Sequence, residues 1–147
     1  EHARGLGALT LGLSCVPESP LAQAAELAIT PATGPEVVTG STRMKAGTAT
    51  KLVLNMLSTG VLVRLGYVYG NLMVNVQPTN LKLQDRAARI VAAITGLPNT
   101  DAAALFAQAG SVKTAVVMNQ RNLSRAEAEA RLAAADGRLR DALETSR

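Results

Sequence analysis

Between Gly34 and Ala49 the chain concentrates groups that can do chemistry on an anion: the carboxylate of Glu36, the hydroxyls of Thr39, Ser41, Thr42 and Thr48, and the cations Arg43 and Lys45. Gly34, Gly40 and Gly47 punctuate the run, which reads GPEVVTGSTRMKAGTA. It follows a strand-like stretch, Leu27-Ala28-Ile29-Thr30, and leads into a long apolar helix predicted from Thr42 to Tyr69. A loop that ends at a helix start offers backbone N–H groups and a positive dipole end to a phosphate or carboxylate. Cations are unfavourable at that end of a helix unless something negative joins them. Arg43 and Lys45 there therefore suit a bound phosphate or carboxylate, Arg in bidentate fashion; a solvated helix start is the plainer reading. Ser41 and Thr42 are natural helix caps, and capping is compatible with ligand contact. For Glu36 the readings are a general base, an anchor for a sugar hydroxyl, or a salt bridge to Arg43 or Lys45.

Two segments must position this loop. Ala8 to Cys15 reads as a buried strand, followed by a turn with Ser19 as N-cap and Pro20 at the first helical position. A short helix Leu21–Ala25 and a second strand around Glu26–Thr30 come next. Glu1 to Gly7 reads as the end of a helix closing on glycine. In the long helix, Gly47 and Gly60 mark either a close-packing ligand or helix or a simple interruption.

Downstream, 70–79 reads as irregular, with Pro78 as breaker. Asn71 and Asn75 there suit backbone satisfaction more than ligand contact. Asn80 caps a helix predicted over Leu81–Thr95, with Leu83, Ala87, Ile90, Val91 and Ile94 at helical spacing. Gly96 to Thr100 is a break. Short helices are predicted over Asp101–Ala109, Ser111–Gln120 and Ser124–Ala134, the last with a Ser124/Glu127 capping box, and then over Gly137–Thr145. The expected division is 1–79, an α/β part with the loop and long helix, and 80–147, a helical region.

With 147 residues and 48 % apolar content the chain is globular rather than disordered. The formal charge of +4 comes with only 2 % aromatics, so no stacking platform for nucleic acid exists. No apolar run is expected to span a bilayer, because Asn55, Ser58, Thr59, Gly60 and Arg64 interrupt the longest candidate. The lone Cys15 reads as a buried, inert thiol and His2 as a surface histidine. No Cys/His cluster has metal-ligand spacing and no Walker-type loop is present, so neither a metal nor a nucleotide is expected. Together these features point to the cytoplasm.

The run GPEVVTGSTRMKAGTAT resembles the signature of the N-acetylmuramic acid 6-phosphate etherases, much of which the related glucokinase regulatory protein shares. The likeness continues through Lys51 to Thr59, Gly66 to Val74, Thr79-Asn80 and Lys82-Leu83, and thins to a pattern at Lys113 to Met118. Asn75 stands where the etherases usually carry Asp. The resemblance implies the C-terminal part of a sugar-isomerase type α/β parallel-sheet sandwich, with about two of its strands here, followed by a small helical subdomain. It implies a homodimer, a small sugar-phosphate substrate, no cofactor, no nucleic-acid or membrane partner, and ligand contact by Glu36, Ser41, Thr42, Arg43 and Lys45. The implied reaction is a carbon–oxygen lyase step that yields N-acetylglucosamine 6-phosphate and D-lactate. Its acid–base glutamates are expected upstream. Two parallel strands do not make a stable sheet alone, so the chain is expected to be part of a longer protein and inactive by itself. The alternatives are a sugar-phosphate-binding regulator that does not catalyse, and a stand-alone helical interaction module.

Overall fold

A computed structural model describes residues 2–144. The predicted helix start at Glu1 and helix end at Thr145 lie outside the described residues. The chain divides into two compact units, Glu1–Gly60 and Val61–Arg147. The architecture is mixed α/β, with a small two-stranded parallel sheet and many helices.

The first unit opens with α1 (His2–Gly5), β1 (Leu11–Leu13), α2 (Pro20–Ala24) and β2 (Leu27–Ile29). The strands pair in parallel, Leu11 opposite Leu27, Gly12 opposite Ala28 and Leu13 opposite Ile29. Both are shorter than the apolar runs that predicted them, because each finds one pairing edge only. Gly12 is where α2 crosses the sheet. A Cβ there would lie 2.9 Å from the Leu21 carbonyl oxygen, so the helix approaches only because the side chain is absent. Ser19 caps α2 as expected, its hydroxyl accepting the Ala22 N–H at 3.3 Å, with Pro20 first in the helix.

Helix α3 spans Lys45–Arg64 and buries none of its residues. It starts three residues later and ends five residues earlier than predicted. The start is late because residues 42–44 form a turn; Thr42 then takes the Gly47 N–H on its carbonyl at 2.9 Å. The end is early because the Val68–Met73 stretch prefers strand. It forms a hairpin of β3 (Val68–Tyr69) and β4 (Leu72–Met73), Tyr69 opposite Leu72. The two-residue turn is Gly70-Asn71, with Gly70 at φ +60°, a first turn position that favours glycine.

By length and composition α3 can cross a membrane, among the described residues the one single helix that can. Of its interruptions, Asn55, Ser58, Thr59 and Gly60 are uncharged and Arg64 stands at its last position.

The second unit holds the core. After the hairpin come α4 (Leu81–Thr95), α5 (Asn99–Ala109), α6 (Val112–Arg121), α7 (Arg125–Ala134) and α8 (Leu139–Leu143). Val74, Ile90, Val91, Phe106, Val112, Val116, Val117, Leu132 and Leu139 bury together with small alanines. Asn80 caps α4, its side-chain oxygen accepting the Leu83 N–H at 2.9 Å. Ser111 caps α6 and Ser124 opens α7 in a full capping box with Glu127. Lys113 holds this unit across its layers. Its ammonium donates to the Gly137 carbonyl at 2.6 Å and lies 5.5 Å from the centre of the Tyr67 ring.

Candidate functional site

The loop between β2 and α3 is closed by contacts between its two ends. Glu36 turns its carboxylate onto the start of α3, where Oε2 accepts the Lys45 N–H at 2.9 Å and Oε1 the Ala46 N–H at 3.0 Å. In return Lys45 Nζ donates to the Pro35 carbonyl at 2.9 Å. The two backbone bonds, with help from the Lys45 charge, hold the Glu36 carboxyl below the usual carboxylate range. The orphan N–H groups of α3 are thus met by a residue of the protein itself, placed nine and ten positions upstream.

This arrangement corrects several expectations. Glu36 forms a backbone cap, not the alternative of a salt bridge to Arg43 or Lys45; the ammonium of Lys45 goes to a carbonyl instead. The hydroxyls of Ser41 and Thr42 do not cap α3. Their residues lie before its first turn, and the carboxylate has taken the donors a hydroxyl would satisfy. The free N–H groups anticipated at the helix start are therefore occupied at Lys45 and Ala46. Between the two feet the chain turns at Thr39-Gly40, with the Ser41 N–H donating to the Val38 carbonyl at 3.0 Å. Thr42 and Arg43 are exposed and Ser41 is half-buried. Arg43 has neither an ion pair nor a hydrogen bond among the described residues, which leaves its guanidinium available.

A cavity of about 300 Å³ opens beside the loop, lined by Cys15, Thr33, Glu36, Thr39 and Thr42 together with the apolar Val16, Pro35 and Ala46. Of the residues singled out from sequence it brings together Glu36, Thr39 and Thr42; Ser41, Arg43 and Lys45 do not line it. Thr33 and Cys15 went unnoticed as lining groups. The signal available for Thr33 was its place right after β2, at the carboxyl end of a strand where α/β proteins bind ligands. Cys15 is half-buried rather than buried. It lies just past β1, and its thiol donates to the Ala46 carbonyl at 3.6 Å and approaches the Thr50 hydroxyl at 3.8 Å. The cavity thus offers hydroxyls, a thiol and one engaged carboxylate.

A larger cleft, about 560 Å³, lies in the second unit between α4 and α5, over Ala88, Ala103 and Phe106. It contains no residue of the loop. Its charges, Asp85 and Arg89, satisfy each other at 2.9 Å in solvent. Volume alone favours this cleft; the chemistry favours the smaller cavity, because only there do several hydroxyls converge with a carboxylate. Glycines 47 and 60 also separate. A Cβ at Gly47 would meet the Thr42 carbonyl oxygen at 3.4 Å, whereas Gly60 faces open space. Asn71 sits in the hairpin turn and Asn75 just after β4. Contrary to expectation, neither side chain bonds a backbone group among the described residues. His2 is exposed in α1. Among the described residues no three His, Cys, Asp or Glu side chains are grouped to hold a metal ion.

No family model matches the chain. Curated proteins do. An N-acetylmuramic acid 6-phosphate etherase of Serratia proteamaculans is 53 % identical over 144 residues, 97 % of this chain and 48 % of its own length. Proteins of the same name from Cronobacter sakazakii and an Enterobacter species are each 52 % identical over 145 residues, 98 % of this chain and 49 % of their own. The chain spans about half the length of the curated relatives it matches. By sequence it matches the C-terminal half of the N-acetylmuramic acid 6-phosphate etherases.

Proposed function

We propose that the protein containing this chain is an N-acetylmuramic acid 6-phosphate etherase, and that the 36–45 loop is part of its substrate site. The observation that carries the reading is identity above half over nearly the whole chain, signature loop included, to proteins of that name. Their name implies a substrate that bears both a phosphate and a lactyl carboxylate. A loop with Ser41, Thr42 and an unengaged Arg43 suits a sugar with two such anionic groups. Glu36 and Lys45 belong to the same site as the two feet of the loop.

The reaction needs a proton removed from C2, which the C1 aldehyde of the open sugar acidifies. The C3 lactyl ether is then expelled as D-lactate, and water adds to the unsaturated sugar. Carboxylates perform these proton transfers without a cofactor. The Glu36 carboxylate, bonded at both oxygens, is a poor base. The acid–base glutamates therefore belong to the half of the relatives' length that this chain does not span. That half also completes a sugar-isomerase type parallel sheet over β1 and β2 and, together with a second copy in a homodimer, covers α3. Burial of α3 within a protein explains its apolar flanks without a membrane and fits a cytoplasmic enzyme of cell-wall sugar recycling.

A second reading is a regulator that binds the sugar phosphate without turning it over; acid–base glutamates upstream would favour the enzyme and their absence the regulator. One experiment separates the two. The full-length protein is incubated with N-acetylmuramic acid 6-phosphate, with binding followed by calorimetry and D-lactate by enzymatic assay. Release of D-lactate is the expected result. Saturable binding without lactate would make the protein a sensor, and no binding at all would remove the loop from the site.

A further inference from the structure

We propose that Glu36 and Lys45 are positioning residues: they clamp the two ends of the 36–45 loop together and leave ligand contact to its tip, Thr39 to Arg43. The clamp is reciprocal. The Glu36 carboxylate spends both oxygens on the N–H groups of Lys45 and Ala46, and the Lys45 ammonium spends a donor on the carbonyl of Pro35. Three bonds between positions 35–36 and 45–46 close a segment that otherwise carries one internal backbone bond at its bend, from Ser41 to Val38. Ordering such a segment costs roughly 1–2 kcal/mol per residue in backbone entropy, so without closure the tip samples many shapes.

The clamp also decides where an anion cannot go. A phosphate drawn to the start of α3 would have to displace a carboxylate already bonded twice. Two negative groups competing for the same N–H donors repel each other. Of the loop's side-chain donors, the Lys45 ammonium is drawn back to the Pro35 carbonyl at the foot, which leaves the hydroxyls and the guanidinium of Arg43 at the tip. The helix start thus serves to fix the loop, and the charge that recognises the ligand is on Arg43. The titratable groups around Glu36 are Lys45, which favours its ionised form, and Cys15, which lines the same cavity. Held below the usual carboxylate range, Glu36 is also a weak proton acceptor.

The proposal rests on the etherase reading for its kinetic test only. A spectroscopic test is independent of it. In the ligand-free full-length protein, labelled with ¹⁵N-lysine and ¹⁵N-alanine, the Lys45 and Ala46 amides should titrate together with the Glu36 carboxyl, below the usual range. Glu36→Gln should abolish that response. Amides indifferent to Glu36→Gln would overturn the clamp whatever the activity. In kinetics with N-acetylmuramic acid 6-phosphate, Glu36→Gln and Lys45→Met should each raise KM by about tenfold to a hundredfold, the loss of a charged hydrogen bond. The kcat should stay within about threefold, with both limbs of the kcat/KM pH profile in place. Lys45→Arg, which still reaches the Pro35 carbonyl, should restore most of the affinity. A kcat loss of about 10²–10⁴ with a missing pH limb would make Glu36 the general base and overturn the positioning role. If Glu36→Gln does not fold, Lys45→Met and its Arg rescue decide the matter. A full-length protein that releases no D-lactate would end the etherase reading while leaving the amide test in force.

Discussion

The two units of this chain handle apolar residues in opposite ways. In residues 61–144, Val91, Val112, Val116, Val117 and Leu139 are shut away from water within one cluster. In residues 2–60 the only buried position among the described residues is Gly12. Leu6, Leu9, Leu11, Leu27, Leu52, Leu54 and Met56 all lie exposed. The contrast follows from what each unit can satisfy locally. Helix α4 is amphipathic and finds partners in α5 and α6. Helix α3 is apolar around most of its circumference, and a parallel sheet needs cover on both faces. The second unit carries a complete core. The first has elements whose partners our account assigns to the rest of the protein.

The largest expected effect breaks the chain at this boundary. Residues 61–147 expressed alone should melt cooperatively, whereas residues 1–60 alone should show no cooperative transition by circular dichroism. A sharp transition in 1–60 would make its exposed apolar surface self-sufficient and end the contrast.

The next effect sharpens it within single residues. Phe106→Ala should cost about 3–5 kcal/mol in denaturant unfolding of this chain, since it empties a core site. Leu54→Ala on the exposed side of α3 should change the same measurement by less than about 0.5 kcal/mol. In the full-length protein Leu54→Ala should cost about 2–5 kcal/mol, the price of a buried leucine. Equal, small costs in both contexts would mean that nothing covers α3.

A smaller effect lies in the capping box of α7. Ser124→Ala should destabilise the second unit by about 0.5–2 kcal/mol, read as a lower urea midpoint with unchanged slope. The smallest is a pH effect on the same box. Hydrogen bonds from the Ser124 hydroxyl and N–H hold the Glu127 carboxyl below its ordinary value of 4.5. A depressed folded-state value means that the contribution is fully present above about 4.5 and fades as pH falls through the lowered value. Glu127→Gln should therefore flatten the stability of residues 61–147 between neutral and acidic pH.

Legibility in the sequence divided between local and non-local features. The bounds of α4 and its Asn80 cap could be read directly, as could the Ser124/Glu127 box, because caps act over three residues and amphipathic spacing repeats within one helix. The hairpin was missed. Gly70-Asn71 is a turn signal, but the apolar run from Val61 to Tyr69 reads as a continuing helix when no partner strand is in view. The capping of α3 was also beyond local rules. Ser41 and Thr42 stand in the usual cap places, yet Glu36 reaches the helix from nine positions away. Only the fold of the loop brings its carboxylate there. The loop stands out in composition as a candidate site, whereas the division between its feet and its tip needed coordinates.

The most direct test of the account asks whether the tip of this loop holds the ligand. Arg43→Ala in the full-length protein, titrated calorimetrically with N-acetylmuramic acid 6-phosphate, should bind it more weakly by about 1.5–3 kcal/mol with an unchanged melting temperature, as for a charged hydrogen bond lost at an exposed position. Wild-type affinity in that variant would contradict the assignment of the loop to the substrate site.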